Sequence, residues 1–156
     1  MIVKGIIFED MVNFKKPCMT IEMPYCSFKC DKECGKQVCQ NSLLAESDNI
    51  HVSVQELIKK YLNNPITSAV CFQGLEPMDS WYDLYYFVKE FRKLSDDIIV
   101  IYTGYNKKEI QDKIIQLSAF NNIIVKYGRF IPDKKSHFDK TLGVNLASDN
   151  QYAEYI

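Results

Sequence analysis

Residues 67–105 read TSAVCFQGLEPMDSWYDLYYFVKEFRKLSDDIIVIYTGY. The apolar run from Thr67 to Phe72 is too short for a helix and ends at Gln73 and Gly74, so it reads as a buried strand. Glu76 and Pro77 lead into a helix starting near Asp79 or Ser80, with Leu84, Phe87, Val88, Phe91 and Leu94 along one stripe. Ile98 to Tyr102 (IIVIY) is β-branched or aromatic throughout, a second strand ended by Thr103 and Gly104. Strand, helix and strand in this order form a parallel βαβ unit.

The same rhythm extends both ways. Upstream, Cys18 to Met23 (CMTIEM) reads as a strand with a cysteine-rich segment at its end, and Ser53 with Glu56 forms a capping box. The helix it opens carries Leu57, Ile58, Tyr61 and Leu62 and is stopped by Asn63, Asn64 and Pro65. Downstream, Asn106 with Glu109 starts a helix bearing Ile110, Ile114, Ile115 and Leu117, and Asn122 to Val125 makes a fourth strand. Tyr127 to Phe138 is polar and broken by Gly128 and Pro132, so it reads as loop, with a short strand around Leu142 to Leu146. This alternation, with right-handed crossovers, predicts an open, curved parallel sheet with helices outside. In such sheets ligands bind beyond the carboxyl ends of the strands. Here those ends carry the cysteine segment, Gln73-Gly74-Leu75-Glu76-Pro77 and Tyr102-Thr103-Gly104-Tyr105.

With 156 residues, the length matches one domain over 1–156. Nineteen Lys+Arg against twenty Asp+Glu give a formal net charge of −1 without a basic block, which argues against a nucleic-acid or anionic-membrane surface. Glu9 and Asp10 interrupt the N-terminal apolar residues, and no run is long enough for a membrane span. The expected location is the cytoplasm, where thiols stay reduced.

Six cysteines are present, of which Cys26, Cys30, Cys34 and Cys39 cluster while Cys18 and Cys71 sit in apolar strands as core residues. Closely spaced thiolates suit zinc or an iron–sulfur cluster. Paired C-x-x-C knuckles typical of structural zinc are absent. Two arrangements stay open: all four thiolates closing a metal site, or three holding a [4Fe–4S] cluster whose fourth iron faces a substrate. His51 and His137 lack acidic partners at useful spacing and carry no assignment.

The segment from Asn13 to Asn41, then FQGLEP (72–77), YTGY (102–105), YGRF (127–130) and SDNQ (148–151), resembles the radical S-adenosylmethionine activases of the anaerobic ribonucleotide reductase. The resemblance spans most of the chain in order and interval. It implies an incomplete, open (β/α) barrel with the cluster loop at about 24–42. It also implies two cofactors, a [4Fe–4S] cluster and S-adenosyl-L-methionine. Cys26-Ser27-Phe28-Lys29-Cys30 fits the first half of the family's C-x3-C-x2-C loop, and the second half departs from it. Cys34 follows Glu33, whereas Cys39 follows apolar Val38 and precedes Gln40-Asn41-Ser42, closer to the family context. The preferred ligands are therefore Cys26, Cys30 and Cys39, with 31–38 as an enlarged loop and Cys34 as the alternative or fourth ligand.

FQGLEP corresponds to the family's Gly-Gly-Asp/Glu-Pro motif, which makes Gln73, Gly74 and Glu76 receivers of the methionyl ammonium. Thr103 and Gly104 would lie over the same cofactor. Leu75 replaces one motif glycine, so a positive φ there would be strained. Lys15-Lys16-Pro17 replaces the family's glycines after Asn13, and Tyr152 stands where an Arg is expected. The implied activity is reductive cleavage of S-adenosylmethionine and removal of a hydrogen atom from a glycine of a partner enzyme, anaerobic ribonucleotide reductase. A reduced flavodoxin or ferredoxin is the implied electron donor. The competing expectation is a non-catalytic [4Fe–4S] or zinc module using all four clustered cysteines.

Overall fold

A computed structural model describes residues 1–156. Ten strands and five α-helices follow in order. They are β1 (Ile2–Val3), β2 (Gly5–Asp10), β3 (Cys18–Met23), α1 (Lys29–Cys34), α2 (Ser42–Glu46), β4 (Ile50–His51), α3 (Val54–Leu62), β5 (Ala69–Gly74), α4 (Trp81–Phe91), β6 (Ile98–Tyr102), α5 (Gln111–Leu117), β7 (Ile123–Tyr127), β8 (His137–Asp139), β9 (Val144–Leu146) and β10 (Tyr152–Tyr155). Single 3-10 turns at Pro77–Ser80 and Lys107–Ile110 precede α4 and α5. Both predicted helix starts are capped, the first in part: Ser53 accepts from the Glu56 backbone N–H without the return bond of a capping box, whereas Asn106 and Glu109 bond reciprocally.

The main sheet has the order β10-β7-β6-β5-β3-β2. Strands β3, β5, β6 and β7 are parallel, while β2 and β10 pair antiparallel at the two edges. This corrects the expected incomplete (β/α) barrel with an all-parallel sheet: the domain is a small α/β fold built on a mixed, open six-stranded sheet with few helices. Residues 11–17 between β2 and β3 are too few for a parallel crossover, which takes a dozen or more, so the chain doubles back. After β7 the chain forms the β8–β9 hairpin and returns as β10, again antiparallel. Only the α3, α4 and α5 connections remain as crossovers between parallel strands. A barrel of that type needs a larger domain. The sequence reading missed β2 because Ile7 and Phe8 are exposed on an edge strand, without the alternation of a half-buried one.

Side chains alternate across the sheet and divide it into two faces. Ile21, Phe72, Ile101 and Val125 point to the helices and join Leu57, Leu84, Phe87 and Leu117 in the larger core. Cys18, Cys71, Val100 and Ile124 point the other way and are covered by Phe14, Leu142 and Leu146. Both Cys18 and Cys71 are fully buried there, in the packing role expected of them. Near the carboxyl ends that second face turns polar, with Glu22, Gln73, Tyr102 and Lys126. No helix is long and apolar enough to cross a membrane.

Candidate functional site

The polar end of the second face opens into a cavity of about 420 Å³. Its wall includes Cys26, Cys30 and Cys39 from the segment after β3, Gln73 and Gly74 at the end of β5 with Glu76 just beyond it, and Thr103 and Gly104 after β6. These are the residues singled out from the sequence, apart from Cys34, which does not line the cavity.

Local chemistry explains why Cys39 reaches the cavity and Cys34 does not. Phe28 adopts a left-handed conformation (φ 50°) that turns the chain into α1, and Gly35 ends the helix at φ 65°. Cys34 is the last residue of that short helix. The chain then returns, and Asp31 Oδ1 accepts from the backbone N–H groups of Val38 and Cys39 at 2.7 and 2.8 Å. One carboxylate thus holds the base of the enlarged loop. Asn41 continues the attachment by donating from Nδ2 to the Gly74 carbonyl at 2.6 Å.

The β5 end is set by Gly74. It has φ 88°, and a β-carbon there would approach Glu22 and Leu44 to 3.0 Å. Positive φ therefore falls on the glycine; Leu75 keeps ordinary backbone geometry and is buried. Glu76 is buried with 6% exposure. Its Oε1 accepts from Thr103 Oγ1 at 2.7 Å and Met78 N at 3.0 Å, and its Oε2 accepts from Gly104 N at 2.8 Å. Burial raises the Glu76 pKa, and these three hydrogen bonds oppose the rise. A carboxylate has about four acceptor sites, so Oε2 keeps room for one further donor. Thr103 donates to Glu76 and accepts from Tyr105 N at 3.0 Å, so its hydroxyl is committed to holding the carboxylate.

The same cavity is lined by Lys126, which the sequence reading passed over by ending the strand at Val125. It is buried with 7% exposure and donates from Nζ to the Gly128 carbonyl at 3.0 Å. Burial lowers its pKa to about 8, against the pull of Glu76 and Cys30. A lysine inside the run IIVKY was the available signal, since a charge in a strand buried on both faces needs a reason.

The donor set suits an iron–sulfur cluster. No three Cys, His, Asp or Glu side chains are gathered closely enough to ligate one metal ion. A cubane cluster presents a separate iron to each thiolate, so three sulfurs spread around one cavity suit it better than they suit zinc. A backbone N–H also faces one of the sulfurs: Phe28 N donates to Cys26 Sγ at 3.2 Å. Cluster sulfurs and their thiolates are stabilised by such donors. Burial pushes Cys26 up to about 12 and raises Cys30, so both are thiols at neutral pH and metal binding must displace their protons. The residues fit the group.

Among known families, the 4Fe-4S single cluster domain matches residues 18–152. No curated protein and no solved structure matches the chain. The family match covers all four parallel strands, the cysteine loop and every residue lining the cavity except Val12 and Asn13. By that match the chain is an iron–sulfur protein belonging to the 4Fe-4S single cluster domain family.

Proposed function

We propose that this protein is a reductive S-adenosylmethionine-cleaving enzyme of the glycyl-radical activase type, holding its cluster through Cys26, Cys30 and Cys39. One observation carries the reading. Beside three thiols, the same cavity buries an anion, Glu76, and a cation, Lys126, that joins none of the chain's ion pairs. Buried charges of opposite sign match the ammonium and carboxylate of an amino-acid moiety, and ionised hydrogen bonds of this kind are strong in a dry site. A cluster held by three thiolates supplies, when bound, an iron open to such a ligand and a one-electron reductant.

The chain's own part is binding and orientation. Glu76 receives the methionyl ammonium at the free acceptor site of Oε2, with Gln73 and the carbonyls beside Gly74 as further acceptors. Lys126 faces the carboxylate. Thr103 and Gly104 fix the Glu76 carboxylate before the ligand arrives, which lowers the ordering cost of binding. Reduced flavodoxin or ferredoxin provides the electron, and a glycine of anaerobic ribonucleotide reductase provides the hydrogen atom. With an open sheet around the cavity, the partner completes the site.

Anaerobic reconstitution is expected to give about four irons per chain. The reduced protein is expected to convert S-adenosylmethionine to 5′-deoxyadenosine and methionine. Cys39→Ala should abolish the cluster and Cys34→Ala should retain it. A full cluster with no cleavage, tested with and without the partner, overturns the enzymatic reading in favour of an electron-transfer module. Loss of the cluster in Cys34→Ala points to a four-thiolate site.

A further inference from the structure

Helix α1 carries Cys30 and buries none of its residues. Six residues do not make a stable helix in water, so the position of Cys30 depends on what α1 is tied to. The principal tie is Arg129, which follows β7 in the run YGRF and is buried with 6% exposure. Its guanidinium grips Glu109 through two parallel bonds, Nη1 to Oε2 at 2.7 Å and Nη2 to Oε1 at 2.5 Å. Nε lies 3.0 Å from Glu33 Oε1 on α1, an ion pair without hydrogen-bond geometry. From the other end of α1, Lys29 reaches Glu109 Oε1 at 3.2 Å and lies 4.3 Å from the centre of the Tyr105 ring. Cys30 sits between these two anchors.

The same side chain approaches the sulfur. A β-carbon built on Gly104 would meet both Cys30 Sγ and Arg129 Cγ at 3.8 Å, so the two residues flank one point of the cavity wall. The neighbouring residue, Phe130, lines the same cavity as that sulfur. Glu109 is itself fixed, since Oε2 also accepts from Asn106 N at 2.8 Å in the capping box.

We propose that Arg129, oriented by Glu109, is a positioning residue that seats Cys30 on the cluster and sets the cluster's reduction potential. This rests on Cys30 being a ligand. Reduction adds one negative charge to the cluster. A nearby cation stabilises the reduced form and raises the potential, while a carboxylate lowers it. Lys126 and Lys29 add to the positive side and Glu76 and Glu33 to the negative, so the test reads single changes against that fixed background.

Reconstituted wild type, Arg129→Gln, Arg129→Lys and Glu109→Gln are compared by redox titration followed by electron paramagnetic resonance, and by hydrogen–deuterium exchange over 29–34. The midpoint potential is expected to fall in Arg129→Gln and rise in Glu109→Gln. Arg129→Lys keeps the charge but loses the fork, so its potential should stay near wild type while exchange over 29–34 becomes several-fold faster. Potentials that move in the same direction in the two Gln variants, or in neither, overturn the proposal, because simple loosening of the loop has no opposite signs. Cys30→Ala separates the premises: retention of the cluster refutes the ligand assignment, and its loss with unmoved potentials refutes the role of Arg129 alone.

Discussion

Glu76 is the residue on which the cavity turns. Its two oxygens receive donors from three separate positions, the turn after it, the hydroxyl of Thr103 just past β6 and the Gly104 backbone, so it ties two strand ends together before any ligand binds. Glu76→Gln replaces an acceptor oxygen by an NH2 group facing one of those donors. A buried donor left against a donor costs about 1–3 kcal/mol. Urea unfolding of the apoprotein should show a loss of that size, with an unchanged slope. The glycine beside it shows how a motif departure is absorbed. FQGLEP lacks a second glycine, and the backbone needs only one, because positive φ is confined to Gly74. Leu75 is then free to be apolar and buried.

The cysteine loop is the element most unlike an ordinary hydrophobically held segment. Neither α1 nor α2 buries a residue, and polar ties replace the core contacts. Asp31 is the tie within the loop, because its two bonds to the Val38 and Cys39 N–H groups bring Cys39 back beside Cys26 and Cys30. Charge-assisted bonds of this kind are stronger than neutral ones, and each 1.4 kcal/mol is tenfold in an equilibrium. Asp31→Ala is expected to lose iron to a chelator roughly tenfold faster than wild type. Asp31→Asn, which keeps an oxygen acceptor, should recover most of the difference. Iron loss at the wild-type rate in Asp31→Ala would show that the carboxylate does not hold the loop.

At the scale of the molecule, the sheet is covered by helices on one face and by a loop and a hairpin on the other. Leu142 is the fully buried residue by which the β8–β9 region seals the second face against Phe14 and Val100. Its carbonyl also accepts from Lys15 N at 2.8 Å. Leu142→Ala should destabilise the protein by about 2–5 kcal/mol. Leu94→Ala, at a residue 64% exposed beyond the end of α4, should stay within about 0.5 kcal/mol, and thermal unfolding compares the two.

Much of this was legible in the sequence. The four parallel strands, the three crossover helices and both caps are local patterns: Ile98–Tyr102 and Cys18–Met23 have the bounds read from their residues, and Asn106 and Glu109 meet as their spacing requires. The cysteine spacing likewise pointed to a soft-metal site, because it is a property of neighbouring residues. What local patterns do not contain is which strands lie beside which. The antiparallel edges β2 and β10 replace the expected barrel by a mixed open sheet, β2 through a connection too short to cross over and β10 through pairing with a strand distant in the chain. Lys126 in the cavity and Arg129 against Cys30 depend on the same distant contacts, whereas Cys39 rather than Cys34 reaches the cavity wall through the Asp31 bonds within the loop. Hydrophobic periodicity and capping act over a few residues and are written along the chain, whereas a buried charge acquires its partners only when the sheet brings separate strand ends together.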